Sequence, residues 1–226
     1  MGLDMMLYRM PRYKDATAKD VTIVEEYLGW KREKDDPNSE YKNCTMKKWC
    51  GIDYKEVKRK FVNFYKKFYH VTYSDWDTDH KYPWHGIKEK VGYWRKANEI
   101  HNWFVGTVQD GIDDCDWHNE VTKEDLIYLK DTCEKVLSCS NLIDGKINNG
   151  YHFENGKEIP NVIDGKCIED PRMAQALLPT CSGFFFGGTD YDEYYIENIR
   201  DTIDICNKVL ETTDFETQMV YYRSSW

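Results

Sequence analysis

The 226-residue chain has no C-x-x-C pair, only 6 prolines and no excess of positive charge: 31 Lys and Arg stand against 40 Asp and Glu, a net charge of −9. No apolar run approaches the roughly 18–20 residues that span a bilayer, which argues against a membrane protein. Without a Lys/Arg field the chain is not expected to bind nucleic-acid backbone in general. The missing C-x-x-C also weighs against zinc, whose structural sites usually take two close-spaced pairs; Cys115 and His118 form one lone C-x-x-H. The acidic run from Asp110 to Asp116 lacks the alternating carboxylates and central glycine of a calcium loop, so no metal is expected. No basic segment followed by an apolar core and a small-residue cleavage site opens the chain, and Met6 spoils a myristoylation pattern. The 8 cysteines are then expected as reduced thiols, and the location as cytoplasmic.

What the chain does have is aromatic residues, 15% of the total, including 17 Tyr and 8 Trp. Disordered acidic chains are poor in these, so a packed fold is expected, and the length suits a single domain over residues 1–226. Met5, Leu7 and Tyr8 predict a first strand ended by Pro11. Ala16 to Trp30 reads as a helix, the charged stretch from Lys31 to Tyr41 as a loop, and Asp53 to about His70 as a second helix. A long helix is predicted from Ile87 to Gln109. Trp94, Ala97, His101 and Phe104 lie on its apolar side, and Arg95, Glu99 and Asn102 form the opposed polar stripe. Asn98 falls at the edge of the apolar side. Trp103 is expected to point away from it.

Thr122 and Asp125 have the spacing of a capping box, opening a helix to Leu137. Residues 140–180 then carry four turn dipeptides: Asp144-Gly145, Asn149-Gly150, Asn155-Gly156 and Asp164-Gly165. These predict tight hairpin turns in a small β insertion. The tetrapeptide Ile-Asp-Gly-Lys occurs at 143–146 and again at 163–166, which reads as repeated turn chemistry. Pro179 to Gly187, with three consecutive phenylalanines, is a buried-strand candidate. A helix follows from about Tyr191 to Glu211, with an N-cap offered near Asp190, and Met219 to Tyr222 is a final strand. The expected fold is α+β: four or five helices on a small mixed sheet, with the phenylalanine strand and the last strand sharing that sheet.

Three segments together resemble a family of bacteriophage and prophage proteins of unknown activity. They are the opening MGLDMMLY, the central YWRKANEIHNWF ending at Phe104, and SGFFFGGTDYDEYY ending at Tyr195. The likeness runs on to the final RSSW. It implies a phage or mobile-element setting and an intracellular site of action, and carries no chemistry with it.

Two groups of residues are candidates for function. Trp94, Arg95, Asn98 and His101 on one predicted helix, with Tyr191 and Tyr194 on another, are what a pocket for a planar ligand would use: rings to stack, a guanidinium for an anion, an amide for an edge. Gly187, Gly188 and Thr189 lie before a helix, where backbone N–H groups favour an anion. Neither a P-loop nor a nucleophile elbow is present, and no cofactor signature appears. The first reading is therefore a non-enzymatic accessory protein that binds a host protein or sequesters a small molecule through an aromatic-rich surface. The alternative is an enzyme on a nucleotide-like or other small anionic substrate, with His101 as the candidate catalytic acid–base and Arg95 holding the anion.

Overall fold

A computed structural model describes residues 2–12, 26–27, 30, 33–51, 89–113, 115, 119–154, 156–183 and 185–226. The expected helix at 53–70 lies outside the described residues, as does most of the one at 16–30. Residues 33–35, expected in a loop, are helical. A short helix α1 (Met46–Cys50) starts at the Thr45 cap and ends at Gly51, which adopts the left-handed φ of 78°.

The central sheet is built from β1 (Asp4–Pro11), β2 (Glu89–Arg95), β3 (Asn119–Val121) and β6 (Gln218–Ser225). Its order is β2-β1-β6-β3 and every pairing is antiparallel, so the fold is α+β with an antiparallel sheet, not a mixed one. Side-chain alternation makes the sheet two-faced. Leu3, Met5 and Leu7 join Val220 and Tyr222 in the main core. The residues of opposite parity, Met10, Met219 and Tyr221, are buried as well, Met10 pairing with Met219 and Tyr8 with Tyr221.

Helices α2 (Asn98–Thr107), α3 (Lys123–Ser138) and α5 (Glu193–Thr212) complete that core. The capping box forms as expected: the Asp125 N–H donates to Thr122 Oγ1 at 3.1 Å and the Thr122 N–H to Asp125 Oδ2 at 2.9 Å. The N-cap of α5 is Asp192, two residues beyond the expected position, accepting from the Tyr194 and Tyr195 N–H groups. Phe104 stacks on Tyr222 with ring centroids 4.0 Å apart and planes 9° from parallel. Trp94 bridges strand and helix, donating from its indole N–H to Thr202 Oγ1 at 2.8 Å.

Three expectations are corrected. The single helix predicted over 87–109 is a strand, a bend and a shorter helix, so Trp94 and Arg95 stand on β2 while Asn98 and His101 stand on α2. The break falls at Lys96, which takes a positive φ of 61°. Among the described residues of 179–187 no strand forms: Phe185 and Gly187 have φ of 62° and 101°, incompatible with extended backbone, and β6 is flanked by β1 and β3 instead. Glu99 and Trp103, expected on the outer side of the helix, are buried at 2% and 8% exposure.

The β insertion is present as one long hairpin arm, β4 (Leu142–Glu154) with β5 (Lys157–Ile168), followed by the short α4 (Arg172–Leu177). Of the four turn dipeptides, the one that ends at Gly156, with φ 75°, falls between the paired Glu154 and Lys157, at the reversal. Gly150, at φ 92°, marks a bulge between Asn148 and Tyr151. The other two lie inside the strands, facing each other. Antiparallel register sets Asp144 against Lys166, Gly145 against Gly165 and Lys146 against Asp164, so the repeated tetrapeptide is complementary to itself. A Cβ on Gly165 would collide with the Ile147 and Glu193 side chains, so its absence lets the arm lie close to α5. The base of the arm is tied there by a Cys167–Asp192 bridge and by the Ile168 N–H donating to the Tyr191 carbonyl at 2.9 Å.

Among the described residues no helix is long and apolar enough to cross a membrane. All eight cysteines are unpaired.

Candidate functional site

Helix α2 is too central to be amphipathic: Asn98, Glu99, Ile100, His101, Trp103 and Phe104 are all buried. Three of these are polar or charged, and each must be satisfied or carry a penalty of about 1–3 kcal/mol.

Asn98 is fully used. Its Nδ2 donates to the carbonyls of Gly188 at 2.7 Å and Phe186 at 3.3 Å, and its Oδ1 accepts from the Cys181 N–H at 2.9 Å. The side chain thus does for the irregular 181–188 loop what a neighbouring strand would have done, and explains how that loop is held without a sheet. The carbonyl of Asn98 accepts from the Cys181 thiol at 3.2 Å, and burial keeps that thiol protonated, pushed up to about 11.

His101 is also engaged. Its Nδ1 lies 2.7 Å from the Tyr222 hydroxyl, and Asp113 Oδ1 lies 3.1 Å from Nε2 as a charge contact without the alignment of a hydrogen bond. Burial lowers the ring's pKa below the usual histidine value, with Asp113 opposing. A neutral ring carrying its proton on Nε2 lets Tyr222 donate to Nδ1, while the Trp226 indole N–H donates to the same Asp113 oxygen at 3.2 Å. This is an interior network with Phe186 edge-on to the imidazole at 5.3 Å.

Glu99 differs from both. Its Oε1 is buried and has no hydrogen-bond partner. Desolvation pushes the carboxyl up to about 7, with Asp192 adding to the rise and its own backbone N–H and the Asn198 side chain opposing it. It contributes to the floor of a cleft of about 840 Å³ between the bulged part of the arm, the 180–190 loop and the start of α5. Tyr151, Phe153, Phe185 and Tyr194 line that cleft and are all exposed by 44% or more.

The predicted site residues therefore divide. Arg95, Gly187, Gly188 and Tyr194 line the cleft; Trp94, Asn98 and His101 are interior, at 3% exposure or less. Arg95 is on the rim with its charge directed to Asp4, Nη1 to Oδ1 at 3.0 Å. Tyr191 is half-buried, accepting from the Thr180 N–H at its hydroxyl, 3.2 Å away; the Thr189 carbonyl accepts from Thr180 Oγ1 at 3.0 Å. The N–H groups at the head of α5, which an anion held beside the Gly187–Thr189 turn would need, are occupied by the capping Asp192 carboxylate at 2.9 and 3.1 Å. Sequence reasoning missed Glu99 and the arm residues Tyr151 and Phe153. A carboxylate in a helix otherwise without Asp, Glu, Lys or Arg was the available signal for Glu99. Among the described residues no three His, Cys, Asp or Glu side chains gather as a metal ion would need.

The chain matches no protein-family model, no curated protein and no solved structure.

Proposed function

We propose that this chain is a non-enzymatic accessory protein of a phage or mobile element, which captures a small molecule or a projecting group of a host protein in the cleft beside the arm. The observation that carries the reading is the aromatic rim. Tyr151 and Phe153 from the arm line one cleft together with Phe185, Tyr194 and the polar Glu99, Asp190 and Asn198, rings combined with a few polar groups as in a ligand site. Aromatic rings contribute large contact area with few rotatable bonds to fix.

The enzymatic alternative fits the geometry less well. His101 is enclosed by Tyr222, Asp113 and Phe186 and does not line the cleft, and Arg95 is paired with Asp4. A carboxyl near 7 suits general acid–base work. The neighbouring thiol of Cys181, however, is held in its unreactive protonated form.

Native mass spectrometry of freshly purified protein, with panels of nucleotides, amines and aromatic acids, separates the two readings. Bound mass that disappears in Tyr194→Ala is the expected result. Turnover of any panel member that is abolished by His101→Gln would sink the binding reading.

A further inference from the structure

Building on the cleft reading above, we infer that the occupant is an organic cation, an ammonium or guanidinium on a flexible apolar stem, whose head pairs with Glu99 and whose stem lies along the rings of the rim. Two independent features lead there. The first is the buried Oε1 of Glu99, which has no hydrogen-bond partner among the described residues although the residue contributes to the lining of the cleft. The second is the balance of charge around it. Asp190, Asp192 and Glu197 line the same cleft with Glu99, against two basic residues, Arg95, which pairs with Asp4, and Lys96, whose stem lies beside Gly2 and Gly187. An anionic ligand would meet this floor unfavourably. A cation would meet a carboxylate at the bottom and π faces at the mouth, the arrangement that recognises organic cations.

The groups facing Glu99 are Asp192, Tyr195 and Asn198 from α5, Cys133 from α3 and Cys181 from the loop, none of them a cation. With the carboxyl near 7, a cation must bind the ionised form and displace a proton at lower pH. Affinity should therefore rise about tenfold for each pH unit up to about 7 and level off above it.

Isothermal titration of the full chain with agmatine, 1,5-diaminopentane and a terminally blocked Gly-Arg-Gly peptide tests this. The expected result is binding with that pH profile, release of one proton per ligand at pH 6, and a loss of about tenfold or more in Glu99→Gln. Asp190→Asn, on an exposed loop where folding is not at risk, should weaken binding a few-fold. Tighter binding of the free amines than of the peptide assigns a small molecule; the reverse assigns a basic side chain of a protein. Cation binding that is flat with pH and unchanged in Glu99→Gln overturns the inference. If indole-3-acetate or AMP perturbs the Tyr194 and Gly187 amide signals while no cation does, the cation falls and the cleft reading stands. If no probe of any charge binds, both fall.

Discussion

On the sheet side of α2, His101 closes a network with Tyr222, Asp113 and Trp226; on the α5 side, Glu99 Oε1 has no hydrogen-bond donor among the described residues. The two residues are two positions apart and equally buried, at 1% and 2% exposure. In the first region each ring nitrogen has a polar neighbour, the Tyr222 hydroxyl hydrogen-bonded at Nδ1 and the Asp113 carboxylate in charge contact with Nε2, so these groups specify where β6 and the 110–113 turn sit. In the second the match is left incomplete at the floor of an open cleft. Buried polarity is costly unless hydrogen-bonded. A fold tolerates the incomplete case where something from outside supplies the donor.

The largest expected effect lies at Asn98, whose amide is fully used. Asn98→Ala removes two donors and an acceptor that hold the Phe186 and Gly188 carbonyls and the Cys181 N–H. A loss of about 3 kcal/mol is expected in urea unfolding. A loss below about 1 kcal/mol would mean that the loop is held by other contacts and that the contrast is overstated.

Glu99→Gln should act in the opposite sense. The folded carboxyl titrates near 7 and the unfolded one near 4.5, so the folded state binds more protons between those values. Stability from this group is therefore lost as pH rises from about 4.5 to about 7, and the cost persists above. The glutamine variant should be more stable than the natural chain by about 2–3 kcal/mol at pH 8 and no more stable at pH 4. Equal stability at pH 8 would show that Oε1 is satisfied in solution. His101 runs the other way. Its folded pKa lies below the ordinary 6.5, so its contribution is present above that value and is lost as pH falls through the interval below it. The two slopes offset each other in the natural chain, and Glu99→Gln should expose a fall in stability on acidification that the natural chain hides.

Tyr222→Phe tests the matched side with a smaller change. It leaves His101 Nδ1 buried without its partner while keeping the ring stacked on Phe104. A cost of about 1–2 kcal/mol at pH 8 is expected from denaturant midpoints.

Several of these features could be read in the sequence and others could not, for physical reasons. The capped α3 and the apolar face of α5 follow from periodicity, because each buries one stripe of side chains, and β1 and β6 follow from short apolar runs. The segment 89–107 defeats the same reasoning. Val91, Gly92 and Trp94 on the strand run into Ala97, Ile100, His101 and Phe104 on the helix with spacings that mimic a single helical face. Gly92 was the discordant residue: a Cβ there would press on Ile205 and Leu7, at 2.8 and 3.3 Å, so a strand packs tightly beneath α5 at that point. The phenylalanine run misleads because apolarity marks burial, not extension, and of its described members only Phe186 is buried. Glu99 misleads because helical-wheel reasoning assumes one wet side, and α2 has none through its first turns.

The smallest effect is expected at the far wall of the cleft. Phe153 is 76% exposed on the arm, paired in register with Glu158 near the hairpin end. Its ring is little withdrawn from water in the folded chain, so Phe153→Ser should move the unfolding midpoint by less than about 0.5 kcal/mol. Large exposed rings on a protein surface carry a cost in association, and four of them lining one cleft form a patch of the kind that marks a binding surface. The serine variant should therefore keep the stability of the natural chain and lose a few-fold in affinity for whichever cleft probe binds. The opposite pattern, lost stability with intact binding, would reassign the arm aromatics to holding the hairpin against the body and leave the floor at Glu99 without its outer wall.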